Sequence, residues 1–146
     1  MSAAPHLSYW HVLVGPDGRS TQRRCTIEHW REAPIQPGTA PQWMGPRLRD
    51  DMTVTATVLP AGWTGDWHEN PAPQWIVPLS GGWFVETMDG TRTEMGPGDL
   101  SFGADQGCRE EGGHKGHLSG TVGAAPCVLL LVQMENGPDA GRCPFR

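Results

Sequence analysis

The sharpest hydrophobic pattern in the chain is the octapeptide MTVTATVL at 52–59. Val54, Ala56 and Val58 fall on one face and Thr53, Thr55 and Thr57 on the other, the two-residue period of a half-buried strand. SYWHVLV and the segment through Thr26 flank Gly15-Pro16-Asp17-Gly18, four turn residues in a row, and predict an N-terminal hairpin. QWIVPLS and GWFVETM predict two strands around Ser80-Gly81-Gly82, followed by a turn at Asp89-Gly90, TRTEM and GPGDLSF. HLSGTVG and the apolar run CVLLLVQM close the series. Between 31 and 49, Pro and Gly recur without periodicity, so this stretch is expected as irregular chain draped over a core. The count is eight to ten short strands and no helix, the pattern of a sandwich or barrel.

Composition supports an all-β chain: Gly (20) and Pro (14) are abundant in its 146 residues, and one domain is expected at this length. The formal net charge of −5, with no dense run of Lys or Arg, argues against nucleic acid as a partner. No apolar run approaches the length needed to cross a bilayer, so no membrane partner is expected. The N-terminus lacks the pattern of a secretory signal, which together with the cysteines predicts a cytoplasmic protein. Those cysteines, Cys25, Cys108, Cys127 and Cys143, stand far apart without a C-x-x-C pair and are expected as four free thiols. No P-loop, dinucleotide fingerprint, G-x-S-x-G or H-E-x-x-H is present.

Candidate chemistry concentrates at GWTGDWHENPAPQWIVPLSG, residues 62–81. Gly62, His68, Asn70, Gln74 and Gly81 stand at the spacing G-x5-H-x-N-x3-Q-x6-G. This resembles the first signature of the cupin superfamily, G-x5-H-x-H-x3-4-E-x6-G. Asn70 replaces the second histidine and Gln74 the glutamate. The second signature is looser: Gly98 fits its opening glycine, and an insertion of about eight residues within ADQGCREEGGHKG brings His117 to the histidine and Thr121 to the asparagine. His114 is the competing histidine for that position.

The resemblance implies a single-domain jelly-roll barrel (double-stranded β-helix). Residues 52–133 would form the core barrel, 1–51 an N-terminal hairpin and irregular extension, and 134–146 a C-terminal tail. It implies a site inside the barrel and a homodimer in which the N-terminal strands pair across the interface. In an extended segment His68, Asn70, Gln74 and Ile76 share parity and can face one cavity. The implied metal set is His68, Gln74 and His117 around one divalent ion, Zn, Fe, Mn or Ni, with weakened binding because Gln74 brings no negative charge.

Trp67, Asn70, Gln74, Ile76 and Arg109 are the candidate contacts to a small-molecule ligand. Asp66 and Glu69 are expected to point away from the cavity, and the Gly-rich, charged segment 103–117 to be a solvated loop, its functional alternative being a lid over the barrel mouth. His6, His11 and His29 lack a motif and are expected to be structural. The family's range runs from metal-dependent oxygenases, isomerases, decarboxylases and lyases to metal-free epimerases and binding proteins. Two readings follow: a metal-assisted site acting on an oxygenated small molecule, or a metal-free one binding a sugar or small acid without catalysis. A third has the domain as an oligomerisation module, its interior filled with side chains.

Overall fold

A computed structural model describes residues 3–138 and 141–145. Among these the chain is all-β, with eleven strands in three sheets and no helix: β1 (Ser8–Val14), β2 (Ser20–Thr26), β3 (Arg31–Pro34), β4 (Pro41–Met44), β5 (Met52–Leu59), β6 (Gln74–Ser80), β7 (Gly82–Thr87), β8 (Arg92–Met95), β9 (Ser101–Ala104), β10 (His117–Val122) and β11 (Cys127–Met134). Six strands make the large sheet, in the order β2-β1-β9-β6-β11-β5. A second sheet runs β10-β7-β8, and β3 pairs only with β4. None of these sheets closes on itself. No helix is long and apolar enough to cross a membrane.

The predicted hairpin is β1-β2. Its turn is tied by Gly15 N–H to Arg19 O at 2.8 Å and by Asp17 Oδ1, which accepts from Arg19 N–H at 3.0 Å. The Gly81 turn differs from a hairpin, because β6 and β7 lie in different sheets and the chain crosses from one to the other there. Gly81 has φ +73°, and a Cβ at this position would collide with the carbonyl oxygen of Pro126, so only glycine fits the crossing. The stretch 31–49 is more ordered than its composition suggests: β3 and β4 form a small hairpin whose Pro34 and Pro41 pair at the turn end.

The large sheet carries apolar residues on both faces. Tyr9, Cys25, Ile27, Phe102, Ala104, Met134 and Cys143 form one cluster, covered in part by Trp30, Leu48 and Phe145. Val12, Ile76, Trp83, Val85, Met95, Cys127 and Leu129 form the other, in which the large sheet meets the small one. β11 lies between β6 and β5, and such an interior position accounts for its near-continuous apolar run.

Two expectations are corrected. β5 alternates as predicted but is an edge strand, and it is the Thr57 and Leu59 side that faces inward. Val54 and Val58 stand 62% and 59% exposed, since none of the described residues covers the outer face at that edge. The four thiols are not all free: Cys25 on β2 is bonded to Cys143 in the C-terminal segment, 118 residues away, leaving Cys108 and Cys127 as buried thiols. The pairing is long-range, which is why local spacing gave no hint of it.

Candidate functional site

Residues 60–73 run alongside β10 as an extended loop. His68 N–H donates to His117 O at 3.0 Å and His117 N–H to His68 O at 2.9 Å, so the two histidines stand opposite one another in a single antiparallel bridge. Directly opposed residues project to the same side, and the two ring centroids lie 4.7 Å apart. Close approach here depends on Gly116 (φ +81°), where a Cβ would strike the carbonyl of His68.

Both rings line a cavity of about 140 Å³ with Thr57, Leu59, Trp63, Asn70, Gln74, Ile76, Trp83, Ser119, Leu129 and Leu131. Its walls come from β5, β6, β7, β10, β11 and the 60–73 loop. His117, Asn70, Gln74 and Ile76 are buried, whereas His68 is exposed at the rim.

The two imidazoles are oriented by bonds on their other nitrogens. His117 Nδ1 bonds Asp105 Oδ2 at 2.6 Å, and His68 Nδ1 bonds the carbonyl of Asp66 at 2.7 Å. A carboxylate and a carbonyl only accept, so Nδ1 is the protonated nitrogen in each ring. Nε2, with its lone pair in the neutral ring, is left for the cavity. No hydrogen bond is made by either Nε2 among the described residues.

Asp105 is fully buried, and it accepts from Asn70 N–H and Asn70 Nδ2–H, both at 2.8 Å. Burial is the largest influence on its carboxyl and pushes the pKa up. The hydrogen bond and charge of His117, with the two bonds from Asn70, more than offset that and hold it below the ordinary carboxylate range. A buried carboxylate bonded to Nδ1 fixes the orientation of that ring and leaves its far nitrogen as the atom that can meet a metal ion or a ligand.

The amides form a relay behind the rings. Gln133 Nε2–H donates to Gln74 Oε1 at 3.0 Å, and Gln74 Nε2–H to Asn70 Oδ1 at 2.6 Å; Asn70 in turn holds Asp105. The amide atoms of Gln74 are thus both engaged within the protein, and one lone pair of its oxygen remains for a ligand. Trp83, 2% exposed, lines the same cavity, and its Nε1–H finds no acceptor among the described residues. Such a donor is costly to bury unpaired, by about 1–3 kcal/mol.

The sequence-predicted residues divide. His68, Asn70, Gln74, Ile76 and His117 meet at one cavity. Trp67 does not line it; its ring stacks on that of exposed His114 at 4.3 Å, which also settles His117 over His114 as the cavity histidine. Arg109 is exposed and pairs with Glu111 at 3.2 Å, outside the cavity. The segment 103–117 packs on the β1-β2 turn rather than as a lid, through Arg109 N–H to Gly18 O at 2.7 Å and Arg19 to Glu111 at 3.4 Å. From this segment Asp105, Gly116 and His117 serve the site. Glu69 turns away as expected, binding Lys115 and the amides of Gly107 and Cys108.

Asp105 was missed by sequence reasoning because it lies in the apparent insertion. Its one local signal is to follow directly on β9. Cys108 is no nucleophile beside it: burial, then the charge of Asp105, pushes its thiol up to about 11.

No family model matches the chain, and no curated protein does. Among solved structures it is similar to protein NMB1881 from Neisseria meningitidis, at 15% identity and a TM-score of 0.46, over 74% of this chain and 87% of that one. At that level nothing about fold family or function passes from one to the other.

Proposed function

We propose that this chain is a cupin-like jelly roll that binds a small oxygen-bearing molecule around His68 and His117, with one divalent metal ion held by the two Nε2 atoms. The observation that supports this reading is the pair of opposed imidazoles at one cavity, each with Nδ1 tied to a protein oxygen. Two imidazoles suit Zn, Fe or Ni, and Gln74 Oε1 could add a neutral oxygen. When bound, such an ion supplies Lewis-acid polarisation of a carbonyl or hydroxyl group. The protein's own residues orient the rings through Asp105 and the Asp66 carbonyl, offer the Trp83 N–H to an acceptor, and exclude water with Leu129, Leu131 and Ile76. The cavity admits only a few non-hydrogen atoms.

The two hydrogen bonds that already hold the Gln74 amide favour a second, metal-free reading, in which the His117–Asp105 pair exchanges a proton with the bound molecule. Metal analysis of protein purified without chelator, beside His68→Ala and His117→Ala, decides between them. Stoichiometric metal lost in both variants supports the first reading. Metal at trace level in the parent protein overturns it in favour of the second. As for the expected homodimer, β1 is interior to the large sheet and leaves β2 and β5 as its edges; the exposed valines favour β5, and sedimentation of Val54→Lys tests it.

A further inference from the structure

On the far side of the large sheet, away from the cavity, a second group of soft ligands converges. His11 on β1, Cys25 on β2 and Cys143 in the C-terminal segment are all buried, and one ligand atom from each lies within 4.8 Å of the others. We propose that the Cys25–Cys143 disulfide is the oxidised form of a metal site, and that reduction converts it, with His11, into a Cys2His centre for zinc.

Three observations carry this. His11 Nδ1 is 4.0 Å from Cys25 Sγ, near the spacing of about 3.4–3.8 Å between nitrogen and sulfur ligands on one tetrahedral zinc ion. The same Nδ1 lies 3.4 Å from a donor, Arg23 Nη2, so it is the ring nitrogen that carries the lone pair, which a metal bound there would take over from Arg23. His11 Nε2 is buried with no hydrogen-bond partner among the described residues, so no carboxylate or carbonyl holds this ring for a packing role. A cleft of about 390 Å³ lined by Arg23, Gly141, Arg142 and Cys143 gives reductant and metal access.

The chemistry balances with a dithiol as reductant. The dithiol gives two electrons and two protons to the S–S bond and is itself oxidised to a disulfide, leaving Cys25 and Cys143 as thiols. Zinc then binds the two thiolates and the His11 nitrogen, releasing the two thiol protons to solvent. The three side chains would hold the ion and leave a fourth position to solvent.

The test uses full-length His68→Ala protein, which silences the other site. It is reduced with dithiothreitol, desalted without oxygen and titrated with cobalt(II). One equivalent should bind with an intense near-ultraviolet thiolate-to-cobalt band, and zinc should abolish that band by displacement. Oxidised protein should show no band. Cys143→Ser and Cys25→Ser should each lose it, and His11→Gln should weaken binding at least tenfold. A folded, fully reduced protein without the band overturns the proposal. So does a band that survives both cysteine variants, which would belong to Cys108 or Cys127, or loss of the fold on reduction as seen by circular dichroism.

Discussion

His68 and His117, 49 positions apart in the chain, exchange two main-chain hydrogen bonds and so present their rings to the same cavity. The side-chain geometry of the site is set by backbone pairing, and the pairing in turn by the missing side chain at residue 116.

Gly116→Ala tests that dependence. An added Cβ meets the His68 carbonyl, and the residue sits at φ +81°, where alanine is strained. The variant should lose about 1–3 kcal/mol in urea denaturation and separate the two imidazoles, seen as changed histidine ring resonances. An unchanged midpoint and unchanged spectrum would show that the bridge is dispensable.

Gln74→Glu restores the carboxylate that the motif lacks. Without metal, the new oxygen faces Asn70 Oδ1 where a donor stood at 2.6 Å, so stability should fall by about 1–3 kcal/mol. With zinc, affinity should rise at least tenfold by calorimetry, since the anion offsets the ion's charge. Equal affinity in both proteins would place any metal away from residue 74.

That His68, Asn70 and Gln74 meet around one cavity was legible from the spacing of the motif, although the chain bends at 71–72 and does not keep the extended parity expected of it. The register of His117 needed the strand HLSGTV as a landmark, which gapless counting ignores. Asp105, by contrast, sits at the start of a Gly-rich segment that reads as solvated loop, and nothing local says that its carboxylate turns inward. The Cys25–Cys143 bond and the part of His11 in that cluster were illegible for another reason: β2 and the C-terminal segment meet only through the fold. The buried side of β5 was misjudged because alternation specifies two faces without saying which one has a neighbour.

Stability should fall on acidification of the oxidised protein, and His11 gives the sign. Its folded pKa is lowered to about 4 from 6.5, so below pH 6.5 the unfolded chain takes up a proton that the folded one refuses. Stability is full above that range and declines towards pH 4, by about 2 kcal/mol between pH 7 and 5. Urea titrations at those two pH values should show the loss, and His11→Phe, beside the ring of Phe102, should remove most of it.

Cys143→Ser removes a cross-link that closes 118 residues of chain. A loss of about 3–5 kcal/mol is expected, and the parent protein should lose a similar amount on adding reductant without metal. A reductant-insensitive denaturation midpoint would show that the bond adds nothing to the fold.

The cavity draws its lining from five strands and one loop, and no fragment shorter than residues 57–131 contains all of it. A molecule lodged there must wait until distant stretches have already docked, so it binds late in folding and cannot template the process. Once in place, it holds both sheets and the intervening loop at a single point, and thermal unfolding of the loaded protein should keep one sharp transition moved upward in temperature.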